Sequence, residues 1–179
     1  ESRRQVKVWK DVPASEEAAR DLAGGLKIPY PVAFILAGRG FADPELAGRF
    51  LKPRLSDVSD PFDLPDMREA VDRVLRAIHE RQVIAVYGDY DADGVTATAL
   101  LVDVLERLGG RVSPFLPHRL EEGYGLSDEG LERCLRTCQP TLIITVDCGT
   151  NSDDTVKRAR DAGVDVVVTD HHELSDHPA

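Results

Sequence analysis

The sequence predicts an α/β protein, a doubly wound, mainly parallel sheet with helices on both faces, preceded by a small helical N-terminal annex. Apolar runs suited to short strands recur at Val83–Tyr87, Val112–Leu116, Thr141–Val146 and Val164–Thr169, three of them reading as buried strands. Stretches of helical periodicity lie between them, and such βαβ alternation implies parallel strands joined by right-handed crossovers. An aspartate follows three of the runs, at Asp89, Asp147 and Asp170. In an open parallel sheet the ligand crevice lies outside the carboxyl ends of the strands, so these side chains are expected to meet there.

Residues 1–65 read as the annex and its linker, with helices at Ser15–Leu22, Pro31–Ala37 and Pro44–Leu51. Leu55–Pro65, rich in Asp, Ser and Pro, is the connection to the main body at 66–179. That body opens with a helix from Asp66 to about Arg81, because Met67, Val71, Val74, Leu75 and Ile78 recur on one face. After the first strand, Ala97–Leu108 reads as a helix stopped by Gly109 and Gly110. Helices at Ser127 to about Cys138 and at Ser152–Ala162 complete the alternation. The chain ends ten residues after Thr169, which is abrupt for a doubly wound domain.

A length of 179 residues with 42% hydrophobic content supports one domain, or a domain with an annex. No apolar run approaches the roughly 18 residues of a membrane span, and no leader pattern precedes a cleavage site. The expectation is a soluble, cytoplasmic protein with no membrane partner. Cys134, Cys138 and Cys148 show neither paired CxxC spacing nor the histidines of a zinc site, so reduced thiols are expected. The net charge of -10 argues against a large sequence-independent nucleic-acid surface on this piece. A site that collects carboxylates for metals is nevertheless acidic by construction.

Asp89, Asp91, Asp93, Asp147 and Asp170 would crowd one crevice. Two unit charges ~4 Å apart repel by about 4 kcal/mol at an effective dielectric of ~20, so protons or cations must gather there. The adjacent His171 and His172 tilt the balance toward metal, with one imidazole as ligand and Asp170 or the other imidazole as an orienting or acid/base group. The loop Gly88-Asp89-Tyr90-Asp91-Ala92-Asp93-Gly94 begins like a calcium-binding EF-hand, but Leu100 stands where the bidentate glutamate belongs and a strand precedes the loop. A plainer reading makes these acids turn formers and helix caps.

The segments GDYDADG, VDCGT and TDHH, in this order on these strands, resemble the first three motifs of the DHH phosphoesterase superfamily. Within it the likeness is greatest to bacterial exonucleases specific for single-stranded DNA, and Pro117-His118-Arg119 with Gly123-Tyr124-Gly125-Leu126-Ser127 adds to it. The resemblance implies a hydrolase with two divalent cations, manganese or magnesium, that removes nucleotides from the 5′ end of single strands in DNA repair and recombination. Asp89, Asp91 and Asp147 would hold one metal and Asp93, Asp147 and His171 the other, with Asp147 bridging. Asp170 and His172 would act behind the ligands or near the scissile phosphate, as the catalytic pair. Arg119 would hold a substrate phosphate, assisted by His118 and Tyr124.

The implied partners are single-stranded DNA, a single-strand-binding protein and a repair helicase. The family pattern continues to a later metal-binding aspartate and a second domain, so the chain is expected to be the N-terminal part of a longer protein. Cys148 stands where that branch commonly has asparagine. Two rivals share the fold: a hydrolase of short oligonucleotides, cyclic dinucleotides or pyrophosphate, and a non-catalytic replication scaffold.

Overall fold

The structure, a computed structural model, describes residues 14–118 and 125–174. Two compact units part between Pro61 and Phe62, within the Asp-, Ser- and Pro-rich stretch. In the first, helices α1 (Glu16–Leu26), α2 (Tyr30–Gly38) and α3 (Pro44–Leu51) precede a 3₁₀ turn at Leu55–Asp57. Ser15 caps α1 by accepting from the Ala18 amide, and Asp43 caps α3 through the amides of Glu45 and Leu46. Leu22, Ala33, Leu36 and Ala47 form the buried cluster, and Leu26 packs on it. That packing carries α1 past Gly24 and Gly25 to Leu26, beyond the Leu22 end expected from sequence.

The second unit runs α4 (Met67–His79), β1 (Val83–Gly88), α5 (Ala92–Arg107), β2 (Arg111–Phe115), α6 (Asp128–Cys138), β3 (Leu142–Val146), α7 (Asp153–Asp161) and β4 (Asp165–Thr169). All pairings are parallel, in the order β2-β1-β3-β4. Side chains alternate across the sheet, so Ile84, Val86, Leu142 and Ile144 bury against Ala77 of α4 and Leu105 of α5. Ala85, Tyr87 and Ile143 bury on the opposite face, against Leu131 and Cys134 of α6 and Ala159 of α7. Both faces are covered, which is why β1 and β3 read as near-continuous apolar runs, interrupted in β3 by the buried Thr145.

The strand order reverses at β1. The chain leaves β1 for β2 on one side, then crosses back to β3 on the other, so loops diverge at the carboxyl ends of these two strands. Register then does the rest. Gly88 pairs with Val146 and Val146 with Thr169, so Asp89, Asp147 and Asp170 follow paired positions on three adjacent strands.

Helix α5 and strand β4 also differ from the sequence reading. Helix α5 begins at Ala92 rather than Ala97, because Asp91 caps it. Strand β4, expected to be buried like β1 and β3, is an outer strand and only half covered, its valines intermediate in exposure and its ends exposed. The three cysteines are free thiols, Cys134 and Cys148 buried. Among the described residues no helix is long and apolar enough to cross a membrane.

Candidate metal centre

Asp91 is both a cap and a candidate ligand. Its Oδ1 accepts from the amides of Asp93 at 2.9 Å and Gly94 at 3.0 Å, closing the first turn of α5. The Gly94 amide, aided by that of Asp93 and by a hydrogen bond with Asp147, holds the Asp91 carboxyl below its ordinary range. Asp89 Oδ1 accepts from the Tyr90 amide at 2.6 Å and the residue lines the cleft described below. The glycines let α5 lie this close to β1, since a Cβ on Gly94 would overlap the Asp89 backbone and one on Gly88 would overlap Thr98 Oγ1.

Asp147, directly after β3, is 8% exposed and has a left-handed backbone with φ 62°. Burial pushes its carboxyl up, and the neighbouring charges of Asp93 and Asp91 push the same way against the opposing pull of His171. His171 Nε2 lies 2.9 Å from Asp147 Oδ1 and 3.4 Å from Asp93 Oδ2. Side chains from the start of α5, the end of β3 and the end of β4 therefore converge.

Asp170 is a fixed support. Its Oδ2 accepts from the Thr150 amide at 3.0 Å, and its Oδ1 faces the amides of His171 and His172 and the His172 Nδ1 at 2.7 Å. Burial alone would raise this carboxyl, yet these donors together hold it far below the usual range. Asp170 in turn raises His172, first through the hydrogen bond to its ring. Asn151 adds a further tie, donating to the Glu173 carbonyl at 3.0 Å. A cleft of about 290 Å³ is lined by Asp89, Gly125, Leu126, Asp147, Asp170 and His172 among others.

The donor set suits a hard divalent cation. Donors at right angles about an ion with bonds of about 2.1 Å stand about 3.0 Å apart; the 2.9 Å between His171 and Asp147 matches that spacing, and Asp93 stands somewhat farther off at 3.4 Å. Carboxylate oxygens with one imidazole favour manganese or magnesium over zinc or copper. An ion there would also relieve the repulsion that raises Asp147. His172 comes closer than the motif reading implies, since a ligand atom from each of Asp147, His171 and His172 lies within 4.8 Å of the others.

The structure thus brings together Asp89, Asp91, Asp93, Asp147, Asp170, His171 and His172. His118 is exposed just past β2, and it does not line the cleft. Arg119 and Tyr124 lie outside the described residues. Cys148, in the same turn as Asp147, stays a thiol, pushed up to about 12 by burial and by Asp89, Asp170 and Asp147. Sequence reasoning assigned no role to Thr150, although it closes the motif VDCGT, nor to Asn151 after it, nor to Gly125 and Leu126 of the GYGLS segment as cleft wall. The capping and ligand readings of Asp91 are separable. Asp91→Ala is expected to cost about 1 kcal/mol of stability in thermal melts, whereas Asp91→Asn keeps the cap and loses only metal affinity.

Residues 83–179 match the family model described as DHH family, N-terminal domain. The chain is 39% identical over 165 residues to the single-stranded-DNA-specific exonuclease RecJ of Bacillus subtilis (strain 168), covering 92% of this chain and 21% of that protein. It is 43% identical over 156 residues to RecJ of Thermus thermophilus, covering 86% of this chain and 22% of that protein. The solved structure of Thermus thermophilus RecJ in complex with Mn2+ superposes with a TM-score of 0.63 at 33% identity, over 90% of this chain and 22% of that one. The chain spans about a fifth of the length of these curated relatives.

Proposed function

The chain belongs to the DHH family, and from that premise we propose that it carries the metal centre of a RecJ-like exonuclease that hydrolyses single-stranded DNA from its 5′ end in repair and recombination. The observation that carries the reading is the convergence of Asp91, Asp93, Asp147 and His171 from separate strand ends onto donor spacings that suit a divalent ion. The manganese named for the solved RecJ structures supports the same cofactor here. The division of the body at about residue 66 and the cytoplasmic setting remain part of this proposal, as do a single-strand-binding protein and a helicase as partners.

The proposed ligands are Asp89, Asp91 and Asp147 for one ion and Asp93, Asp147 and His171 for the other. Bound divalent ions supply Lewis acidity to phosphoryl oxygens and an acidified water. Asp147 would serve both ions, since it is the buried member of the group and lies between the others. Asp170 is the orienting group: every donor on its oxygens is spent in holding the turn and the His172 ring. His172, whose ring Asp170 orients and whose pKa that carboxylate raises, stands in the cleft where it would offer a proton to a phosphate oxygen. His118, with Arg119 and Tyr124, is proposed to contact the strand.

The test is release of nucleotides by the intact protein from 5′-labelled single strands with Mn2+, compared with dinucleotides and pyrophosphate. Release of the labelled 5′-terminal nucleotide from long single strands is the expected result. Hydrolysis confined to the small substrates selects the other branch of the family, and partner binding with no hydrolysis selects the scaffold.

A further inference from the structure

Tyr87 is the largest of the fully buried side chains, and on an apolar strand it reads as core. Its hydroxyl is engaged beyond the core. The ring stacks on Phe115 with centroids 5.0 Å apart, and the phenol oxygen donates to the carbonyl of Gly125 at 3.2 Å. Reaching Gly125 takes the hydroxyl past α6 at Gly130, where any Cβ would overlap it. Glycine is among the poorest residues for a helix interior, and this notch accounts for its presence. Helix α6 is itself anchored there, with Ser127 capping through the Gly130 amide and Arg133 over the Phe115 ring.

Gly125 and Leu126 are one wall of the cleft, and Asp89, Asp147, Asp170 and His172 line the rest. Gly125 has φ 70° and its carbonyl is held from beneath by the phenol. We infer that Tyr87 is a positioning residue: its hydroxyl, passed through the Gly130 notch, fixes the Gly125–Leu126 wall against which a nucleotide is held facing the carboxylates. The inference deepens the function proposed above and rests on it only for the identity of the substrate. Tyr87 touches neither ion nor substrate and acts through Gly125.

Tyr87→Phe keeps the buried ring and its stacking on Phe115 and removes the hydrogen bond to Gly125, so the fold is preserved. For the intact protein, KM for a single-stranded oligonucleotide is expected to rise about fivefold, the size of one hydrogen bond, with kcat nearly unchanged. Manganese affinity, read by electron paramagnetic resonance titration, should stay at the wild-type value. Amide hydrogen exchange of a peptide spanning Gly125 to Leu131 should quicken. Gly130→Ala, which displaces the same hydroxyl from the other side, should reproduce both the KM change and the faster exchange. Unchanged KM with unchanged exchange overturns the inference, as does a loss of manganese affinity, which would mean that the hydroxyl acts on the carboxylates. If the wild-type protein hydrolyses nothing, the proposed function fails separately, and exchange at Gly125 alone decides whether Tyr87 holds the wall.

Discussion

Asp147→Asn is expected to reduce Mn-dependent hydrolysis by about a thousandfold or more while leaving the metal-free protein at least as stable as the wild type. The two halves have one cause. Asp147 is the buried member of an acidic group, and both burial and the charges of Asp93 and Asp91 raise its carboxyl. A carboxyl whose folded pKa lies above its unfolded value binds more protons in the native state, so ionising it costs stability as pH rises through that window. At neutral pH, without metal, the charge is therefore a liability that asparagine removes. Asparagine also tolerates the left-handed backbone at φ 62° better than most residues and still offers an oxygen to His171.

Relief of such repulsion commonly yields about 0.5–2 kcal/mol, visible as a higher melting temperature in chelator. Adding Mn2+ should then reverse the ranking, because ligand binding stabilises only the protein that can bind. Melts of both proteins with chelator and with Mn2+ test this directly. A variant that melts lower in chelator, yet keeps its metal-induced rise, would show Asp147 to be structural.

The sheet is legible because burial on both faces leaves a one-dimensional mark, the near-continuous apolar runs Val83–Tyr87 and Thr141–Val146. Strand β4 misleads for the same reason: Val166, Val167 and Val168 look like a central strand, although only one neighbour covers them, and strand order is a property of the fold. Convergence of the acids is legible because a parallel sheet turns strand ends into one edge. The early start of helix α5 is hidden because Gly94, a poor helix former, masks the cap at Asp91. The supporting hydrogen bonds leave no mark. Thr150 supports Asp170 through its backbone amide and its side chain, a pairing across two loops that local sequence does not display, and Tyr87 looks like packing until the path of its hydroxyl is known.

Gly94→Ala is expected to destabilise the protein by about 1–3 kcal/mol and to weaken manganese binding by tenfold or more, against the usual sign of the substitution. In an ordinary helix, alanine in place of glycine stabilises by about 1 kcal/mol. Here the added methyl would overlap the nitrogen, carbon and oxygen of Asp89, none of which can rotate away. Relief must come from sliding α5 off β1, and the tight approach at Gly88, beneath Thr98 and the Gly94 carbonyl, resists this. Whatever movement occurs displaces Asp91 and Asp93, at the start of α5, from Asp89, Asp147 and His171, which follow the strands. A misplacement of about 1 Å in such an assembly can cost about a hundredfold in rate. Gly24→Ala supplies the contrast, since nothing lies within 4 Å of its Cβ position inside α1 and the ordinary stabilisation should appear. Thermal melts and manganese titrations of the two variants separate the outcomes, and a Gly94→Ala protein with wild-type melting and wild-type affinity would mean that the loop does not depend on this contact.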